Sequence, residues 1–378
     1  MPTQAERRRA RNKGKPNVPQ VRKQQSSRDT WKFLAFGLLV AVASAGYYLY
    51  GARQLNTPEL QNVEEDPMVG KRDIFNVVDI PGKGKGAIAA RDIKQGELLL
   101  QERPLFTVPR NVNSSPAQLI AEKLVKLDPD EREEFFELSY VNFPEDLKPE
   151  EHPNEVALSI FQTNAVSAGE DVGIFTTMAR LNHGCSSAFN VVYSWRSEGS
   201  YLVVYALKDI KQGQELLTTY TNTKKPRNQR RTFLSEQYGF HCTCNVCALP
   251  DEESKASDGR LSEISLLYEQ FATWGKNEIE GADAIEIIRT IWRVEDEEGY
   301  WSERGSLAAD AAWIAASHSD AMATQSWARK AVEWFTIEIG ADTPQVRTLM
   351  TIMDRPESHK AWGTRDAVAV GGPEEGAH

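Results

Sequence analysis

The longest uncharged stretch of the chain lies near the N-terminus, in the segment WKFLAFGLLVAVASAGYYLY at residues 31–50. No charged residue occurs between Phe33 and Tyr50, and aromatic residues stand at both ends of the segment. About twenty apolar residues span the hydrocarbon core of a bilayer, and aromatic side chains prefer its two interfaces. We therefore predict a transmembrane helix at 31–50. A buried core helix or a signal peptide is the alternative interpretation.

The segments on either side of this stretch are polar. Residues 1–30 are basic and contain no aromatic residue, so they offer too little apolar surface to offset the entropy of ordering. We predict a disordered tail at 1–30 and a polar linker at 51–70.

Beyond residue 70 the pattern of apolar positions changes period twice. Short β-rich runs such as FNVVDI (75–80) and GELLLQERPLFTV (96–108) are separated by glycines, which is typical of strands. Apolar residues then recur at helical spacing in a segment at about 111–160, and strands return in AFNVVYSW and YLVVYAL. From about 255 to 370 the pattern is helical. These alternations predict an α+β protein with a helical insert and an α-helical C-terminal domain.

Charge is distributed unevenly along the chain and narrows the classes of partner. The formal net charge is −10, although residues 1–53 carry eleven basic residues against only Glu6 and Asp29. The remainder is therefore more acidic than the whole chain. Nucleic-acid binding needs a basic surface that neutralises phosphates, so we expect no direct nucleic-acid partner.

Three of the four cysteines lie within six positions, which points to metal chemistry. Cys242, Cys244 and Cys247 have the spacing C-x-C-x-x-C, and Cys185 lies apart from them in RLNHGC. Zinc at thiolates prefers four ligands. If Cys185 folds back onto the other three, the site is closed and structural; His241, a water molecule or a cluster of free thiols is the alternative.

Four blocks of the sequence together resemble the SET-domain protein-lysine methyltransferases. They are GKGKGAIAARDIKQGELLLQERPLF (82–106), ARLNHGC (179–185), GQELLTTY (213–220) and YGFHCTCNVC (238–247), and they follow the order of the family. The resemblance implies a β-rich SET fold with pseudoknot-like closure. It places the SET domain at 71–221, with its helical insert at about 111–160, a post-SET zinc segment at 222–250 and a helical C-terminal domain at 255–370.

A helical insert divides the SET region, and a helical C-terminal domain follows it. This arrangement is similar to that of the SET-and-MYND branch and its fungal relatives. Residues 107–160 contain no cysteine, so no MYND finger is present. The sequence departs from the family signature at two points, because Gly184 replaces the usual serine and the asparagine that follows the cysteine is delayed to Asn190.

The resemblance also implies S-adenosyl-L-methionine as methyl donor and structural Zn²⁺. Tyr220 is the expected catalytic residue, with a strand tyrosine buried in the core as the alternative. The metal ligands implied are Cys185, Cys242, Cys244 and Cys247. The residues expected to bind the cofactor are Lys83, Gly84, Lys85, Gly86, Asn164, Asn182, His183, Tyr238 and Phe240. Structural roles in the core are the alternative for His183, Tyr238 and Phe240.

Taken together, these features predict methyl transfer to lysine side chains of a protein substrate, either a histone or a non-histone protein. The alternative is a membrane-tethered binding scaffold whose SET region is inactive. We expect a single-pass membrane protein whose catalytic domain faces the cytosol, because the cofactor and reduced thiolates suit that compartment. The basic N-terminal flank favours the opposite side for the domain, so the topology is left open.

Overall fold

The structure is a computed structural model that describes residues 73–111 and 115–374. The predicted tail, transmembrane helix and linker at 1–30, 31–50 and 51–70 lie outside the described residues. The strands span β1 Phe75–Ile80, β2 Gly84–Ala89, β3 Leu98–Glu102, β4 Phe106–Pro109, β5 Val166–Ala168, β6 Asp171–Ile174, β7 Asn182–His183, β8 Val191–Arg196, β9 Tyr201–Ala206 and β10 Leu217–Thr218.

These strands form several small sheets instead of one large one. β1 and β2 make an antiparallel hairpin, β9 lies between β3 and β8, and β6 lies between β4 and β5. β7 and β10 pair in parallel, with Asn182 opposite Leu217 and His183 opposite Thr218. This short parallel pair matters for function because it brings two of the sequence blocks side by side.

The repeated sequence RDIKQGELLL (91–100) and KDIKQGQELL (208–217) forms two corners that bind each other. Ile93 and Ile210 form an antiparallel bridge through reciprocal backbone hydrogen bonds of 2.8 and 2.9 Å. The carboxylate of Asp209 accepts from the backbone of Gln95, and that of Asp92 accepts in the same way from Gln212, each at 2.9 Å. The two copies are therefore related by a local approximate twofold arrangement.

Three α-helices lie between β4 and β5 in the part of this stretch that the structure describes. They span α1 Pro116–Leu124, α2 Pro129–Phe136 and α3 Pro153–Asn164, and proline stands in the first turn of each. Proline suits that position because its fixed φ matches the helix and its missing N–H would have no partner there. The rings of Phe135 and Phe161 pack on Phe106 of β4, which joins these helices to the sheet.

The chain continues through α4 Arg227–Tyr238, α5 Asp251–Phe271, α6 Gly281–Glu298, α7 Arg304–Ser317, α8 Ala321–Ile339 and α9 Pro344–Asp354. Helices α5 to α9 share a large apolar core that includes Ile288, Trp327 and Phe335. Small residues allow α7 and α8 to approach closely, since a side chain at Gly305 would collide with the backbone of Phe335. The strands have a separate core around Leu99, Leu181 and Val204.

The membrane prediction has to be corrected. Among the residues that the structure describes, no helix combines the length and the apolar character needed to cross a bilayer. Even α5, the 21-residue helix, begins with three acidic residues and carries basic ones further along. The single-pass membrane localisation and its membrane partner are therefore withdrawn, and the segment behind them, 31–50, lies outside the described residues.

Candidate functional site

The glycine-rich block forms the tight turn between β1 and β2. The backbone N–H of Lys83 donates to the carbonyl of Ile80 at 3.0 Å, and Gly84 has φ +71°, a conformation that suits glycine. A side chain at Gly86 would overlap Ile80 and come within 2.6 Å of the amide nitrogen of Asn182. Glycine at position 86 thus lets the hairpin lie directly against the strand that carries Asn182.

A carboxylate that sequence reasoning missed connects this hairpin to the parallel strand pair. Glu215 accepts from the ammonium group of Lys83 at 2.6 Å and from the amide of Asn182 at 3.0 Å. The same amide donates to the carbonyl of Lys85 at 3.3 Å. Glu215 lies in the block GQELLTTY, between the glycine and the tyrosine. The charged residue in this otherwise polar and apolar block is the sequence signal that could have identified it.

The ammonium group of Lys85 points to the helical insert. It lies 3.4 Å from the carboxylate of Glu137, and Arg180 reaches the same carboxylate at 3.8 Å. Burial lowers the pKa of the Arg180 guanidinium, although the nearby carboxylates of Glu137, Glu134 and Glu102 oppose this. Two cations therefore stand close to the edge of the glycine hairpin, where an anionic group of a ligand could be held.

His183 and Tyr220 are joined directly. The backbone N–H of Tyr220 donates to Nδ1 of His183 at 3.0 Å, and Nε2 of the same ring lies 3.1 Å from Sγ of Cys185. Because Nδ1 accepts, the neutral ring carries its proton on Nε2 and donates it to the sulfur. Burial lowers the pKa of His183 to about 4. Both ring nitrogens of His183 have hydrogen-bond partners inside the protein, so the imidazole links the sulfur of Cys185 to the backbone of Tyr220.

Tyr220 stands at the centre of an aromatic cluster. Its ring centroid is 4.9 Å from that of Tyr238 and 5.4 Å from that of His183, and Phe240 lies 6.3 Å from His183. The hydroxyl of Tyr220 donates to the carbonyl of Leu181 at 2.8 Å. Burial raises the pKa of Tyr220 well above its usual range and that of Tyr238 to about 12. Both phenols are therefore neutral near pH 7 and can serve as hydrogen-bond donors.

Two asparagines considered from the sequence have well-defined positions. The delayed Asn190 is buried, its amide nitrogen donates to the carbonyl of Glu215 at 2.9 Å, and its amide oxygen accepts from the backbone of Leu217 at 2.8 Å. Asn190 thus binds the strand that leads to Tyr220 despite the longer loop. Asn164 instead donates to the carbonyls of Ser139 and Ile160 at the end of α3. Its predicted contact with a cofactor stays a prediction.

The four cysteines converge. The sulfur atoms of Cys185, Cys242, Cys244 and Cys247 all lie within 4.8 Å of one another, and none of them forms a disulfide. Zn–S bonds of about 2.3 Å in a tetrahedron place sulfurs about 3.8 Å apart. The separations of Cys185 from Cys247 and Cys242, 3.6 and 4.0 Å, bracket that value. The donor set therefore fits a four-coordinate thiolate site.

Basic side chains surround the cysteine cluster. Arg231 donates to the carbonyls of Cys242 at 3.1 Å and Cys247 at 2.8 Å, which fixes the loop between them. Hydrogen bonds with the other three cysteines lower the pKa of Cys244 and raise that of Cys185, so the sulfurs share protons when no metal is bound. Arg230 is fully buried nearby and pairs with Asp258 at 3.2 Å; its burial lowers the pKa of the guanidinium, but Cys185, Cys247 and Asp258 together raise it. A buried cation beside the sulfurs stabilises thiolates, the form that binds metal.

The structure thus brings most of the predicted site residues into one region, linked through β7 and β10. Lys83, Gly86 and Asn182 meet at Glu215, while His183 connects Tyr220, Phe240 and Cys185. Asn164 is the exception, because its amide is engaged by the helical insert.

Comparisons with known proteins agree on one family. The SET-domain family profile matches residues 84–221. The histone-lysine N-methyltransferase set5 of Schizosaccharomyces pombe is 29% identical over 290 residues, which cover 76% of this chain and 86% of that protein. The histone-lysine N-methyltransferase SMYD3 of Homo sapiens is 30% identical over 96 residues, covering 25% of this chain and 22% of that protein.

A solved structure of the SET domain of LSMT bound to lysine and AdoHcy is also similar. It has a TM-score of 0.30 at 12% identity, over 87% of this chain and 91% of that one.

Proposed function

The chain contains a SET domain, and on that premise we propose that it transfers the methyl group of S-adenosyl-L-methionine to lysine side chains of a protein substrate. One observation carries the proposal. Tyr220 is held through His183 beside the parallel strand pair, and the same pair places Asn182 against the glycine hairpin. A tyrosine hydroxyl and a glycine-lined surface, positioned by one small element, suit a reaction whose main demand is alignment.

The cofactor, when bound, supplies an activated methyl group on a sulfonium. We assign its binding to the hairpin residues Lys83, Gly84, Lys85 and Gly86 together with Asn182. Gly86 lets the hairpin lie directly against Asn182, and the cations near the hairpin can meet a carboxylate of the cofactor. The ion pair of Lys83 with Glu215 then holds the edge of the hairpin in place. We assign the carboxylate of the cofactor to the remaining cations, Lys85 and Arg180.

The amine of the substrate must be neutral to attack. Desolvation lowers the pKa of a lysine ammonium, and the aromatic faces of Tyr220, Tyr238 and Phe240 can provide an apolar surround. The high pKa of Tyr220 keeps its hydroxyl protonated, so Tyr220 does not act as a phenolate base. Because the hydroxyl proton is donated to the carbonyl of Leu181, the lone pairs of the oxygen face outward from that bond and would orient the substrate amine by accepting a hydrogen bond from its N–H. The substrate ammonium would pass its proton to solvent before it attacks, and the bound cofactor would then supply the methyl group.

We propose further that the four cysteines bind one structural Zn²⁺. The sulfur separations and the buried cation beside them support this assignment. With all four positions taken by protein ligands, the metal would have no open site for chemistry. Its contribution would be to hold residue 185, and through His183 the tyrosine, against the segment 242–247.

The alternative of an inactive scaffold was suggested by the delayed asparagine. Asn190 nevertheless makes both side-chain hydrogen bonds to the strand before Tyr220, so the longer loop has not released that strand. Titration calorimetry of the purified chain with S-adenosyl-L-methionine decides between the two functions. Binding is expected for the enzyme, and its absence in zinc-loaded protein would favour the scaffold.

The first prediction concerns Tyr220→Phe, assayed by radiolabelled methyl transfer to a proteome extract. We expect a loss of about 100-fold or more in rate, because one oriented hydroxyl at the reacting centre disappears while the ring and its packing remain. Tyr201→Phe is the matched control, since Tyr201 lies at the start of β9 and is expected to retain full activity. Equal labelling by all three proteins would remove Tyr220 from the centre.

A further inference from the structure

A buried carboxylate of the C-terminal helices reaches the turn that follows Cys185. Glu298, the last residue of α6, has a side chain only 2% exposed. Its Oε1 accepts from the hydroxyl of Ser186 at 2.7 Å, and its Oε2 accepts from Arg260 at 2.8 Å. The neighbour of a cysteine in the cluster is thus bonded to a residue 112 positions away in the chain.

The turn at Ser186 is one that needs outside support. Ser186 has φ +43°, which places a residue with a side chain in the left-handed region. Such a conformation persists only where the surroundings over-determine it. Ser186 is also buried, and its hydroxyl lies within the protein with Glu298 as partner. The hydrogen bond to Glu298 therefore supplies part of what holds this backbone conformation.

A second contact joins the same two segments. The ammonium group of Lys208 donates to the carbonyl of Ser187 and to that of Gly299, each at 2.8 Å. The two segments are also in close packing, since a side chain at Gly299 would stand 3.2 Å from Cβ of Ser187. Residues 186–187 and 298–299 are consequently joined by two adjacent contacts, the hydrogen bond of Ser186 to Glu298 and the bridge through Lys208.

We propose that Glu298 is a positioning residue for the cysteine cluster: through Ser186 it fixes the turn that presents Cys185 to the metal. Partners of this kind orient a ligand without touching the metal. The helices that carry Glu298 are thereby part of the metal site's support. This inference rests on the proposed zinc site and is independent of the proposed methyl transfer.

The structure offers a closely matched pair of variants for the test. Ser186 and Ser257 both donate to Oε1 of Glu298 at 2.7 Å, and both are buried, but only Ser186 adjoins a cysteine of the cluster. Zinc release from the full chain can be followed with a chromogenic chelator for wild type, Ser186→Ala and Ser257→Ala. We expect release roughly 10-fold to 100-fold faster for Ser186→Ala, the range found when a partner of a metal ligand is removed, and an unchanged rate for Ser257→Ala.

A spectroscopic measurement separates positioning from general loss of stability. In protein loaded with Co²⁺, the Ser186→Ala substitution is expected to shift the thiolate and ligand-field bands, while Ser257→Ala leaves them in place. If Ser186→Ala does not fold, Glu298→Ala takes its role, because alanine removes the acceptor of the Ser186 hydroxyl. Glu297→Ala is then the control, because Glu297 is half-exposed and pairs with Arg293 on the surface.

The outcomes are distinct. Faster release and shifted bands in Ser186→Ala but not Ser257→Ala, or in Glu298→Ala but not Glu297→Ala, support the inference. Equal release and equal spectra for the serine pair overturn it and leave the zinc site intact. Wild-type protein that binds no zinc overturns the inference together with the zinc proposal, whereas methyl transfer is tested separately.

Discussion

At the scale of single residues, the site requires a position without a side chain at Gly86. Gly86 lies opposite Asn182, whose amide bridges Glu215 and the carbonyl of Lys85. An added methyl group would reach the amide nitrogen at 2.6 Å, below any normal contact between carbon and nitrogen. The side-chain amide of Asn182 cannot simply rotate away, because its hydrogen bonds to Glu215 and to the carbonyl of Lys85 hold it in place.

Gly86→Ala should therefore lose affinity for S-adenosyl-L-methionine by about tenfold or more in titration calorimetry, since a shift of the hairpin of even 1 Å misplaces the groups that line it. Gly259→Ala is the matched control. Gly259 lies within α5 with open space around the position of a side chain, so alanine there should raise stability by about 0.5–1 kcal/mol and leave binding unchanged. Normal affinity of Gly86→Ala would exclude the hairpin as the cofactor surface.

At the scale of elements, α7 is supported by its neighbour α8. No side chain of its own caps the start of α7, and its N-cap residue Glu303 has the left-handed φ of +73°. Glu338 of α8 supplies the acceptor, receiving the backbone N–H of Arg304 at 2.8 Å and that of Gly305 at 3.4 Å. The N–H groups favour an ionised carboxylate, but burial outweighs them and raises the pKa of Glu338 to about 8.

This raised pKa makes stability depend on pH in a defined direction. The unfolded carboxyl ionises near its ordinary pKa of about 4.5 whereas the folded one keeps its proton to about 8. Within that interval the folded state binds more protons, so stability falls as pH rises. In Glu338→Gln the amide oxygen can still accept the hydrogen bonds but cannot ionise. We expect the melting temperature of this variant to approach that of wild type near pH 5 and to exceed it by about 2 °C or more at pH 8.5.

The comparison for that measurement is Glu333→Gln. Glu333 lies on the same helix with a largely exposed side chain paired to Lys330, and its substitution should leave the pH dependence unchanged. Thermal melts of the three proteins from pH 5 to 9 decide the matter. Parallel curves for Glu338→Gln and wild type would mean that Glu338 is ionised in the folded protein.

At the scale of the whole molecule, local patterns predicted what depends on neighbours in sequence, and they missed what depends on packing. The alternation of apolar residues placed strands and helices in the right order, and the α+β class is confirmed. The count of four cysteines pointed to Cys185 as partner of the other three, and the structure places their sulfurs together. Glu215 and Glu298 could not be found in this way, because each acts on a strand or turn distant in sequence.

The uncharged segment at 31–50 shows the limit of a local pattern in the other direction. Length and flanking aromatics favoured a membrane helix; the segment lies outside the described residues, and no helix among the described residues meets the requirement for a span. The length of an apolar run indicates only that the segment is long enough to span a bilayer when it is considered apart from the rest of the protein. The membrane interpretation is accordingly set aside, while the interpretation of the first three sequence blocks is supported by the family match at 84–221.

The distribution of buried surface leads to the final prediction, the effect of removing the metal. The core around the cysteines is small and includes Leu234 and Val246, whereas α5 to α9 share a much larger apolar core. A strong chelator should therefore raise hydrogen exchange in the segments 182–190 and 238–249, while the exchange of α7 and α8 changes little. Added Zn²⁺ should restore protection in those segments, since metal binding and local folding are coupled. Exchange that stays unchanged at 182–190 after chelation would show that Cys185 is held without the metal, and a uniform rise across the helices would show that the two cores unfold together.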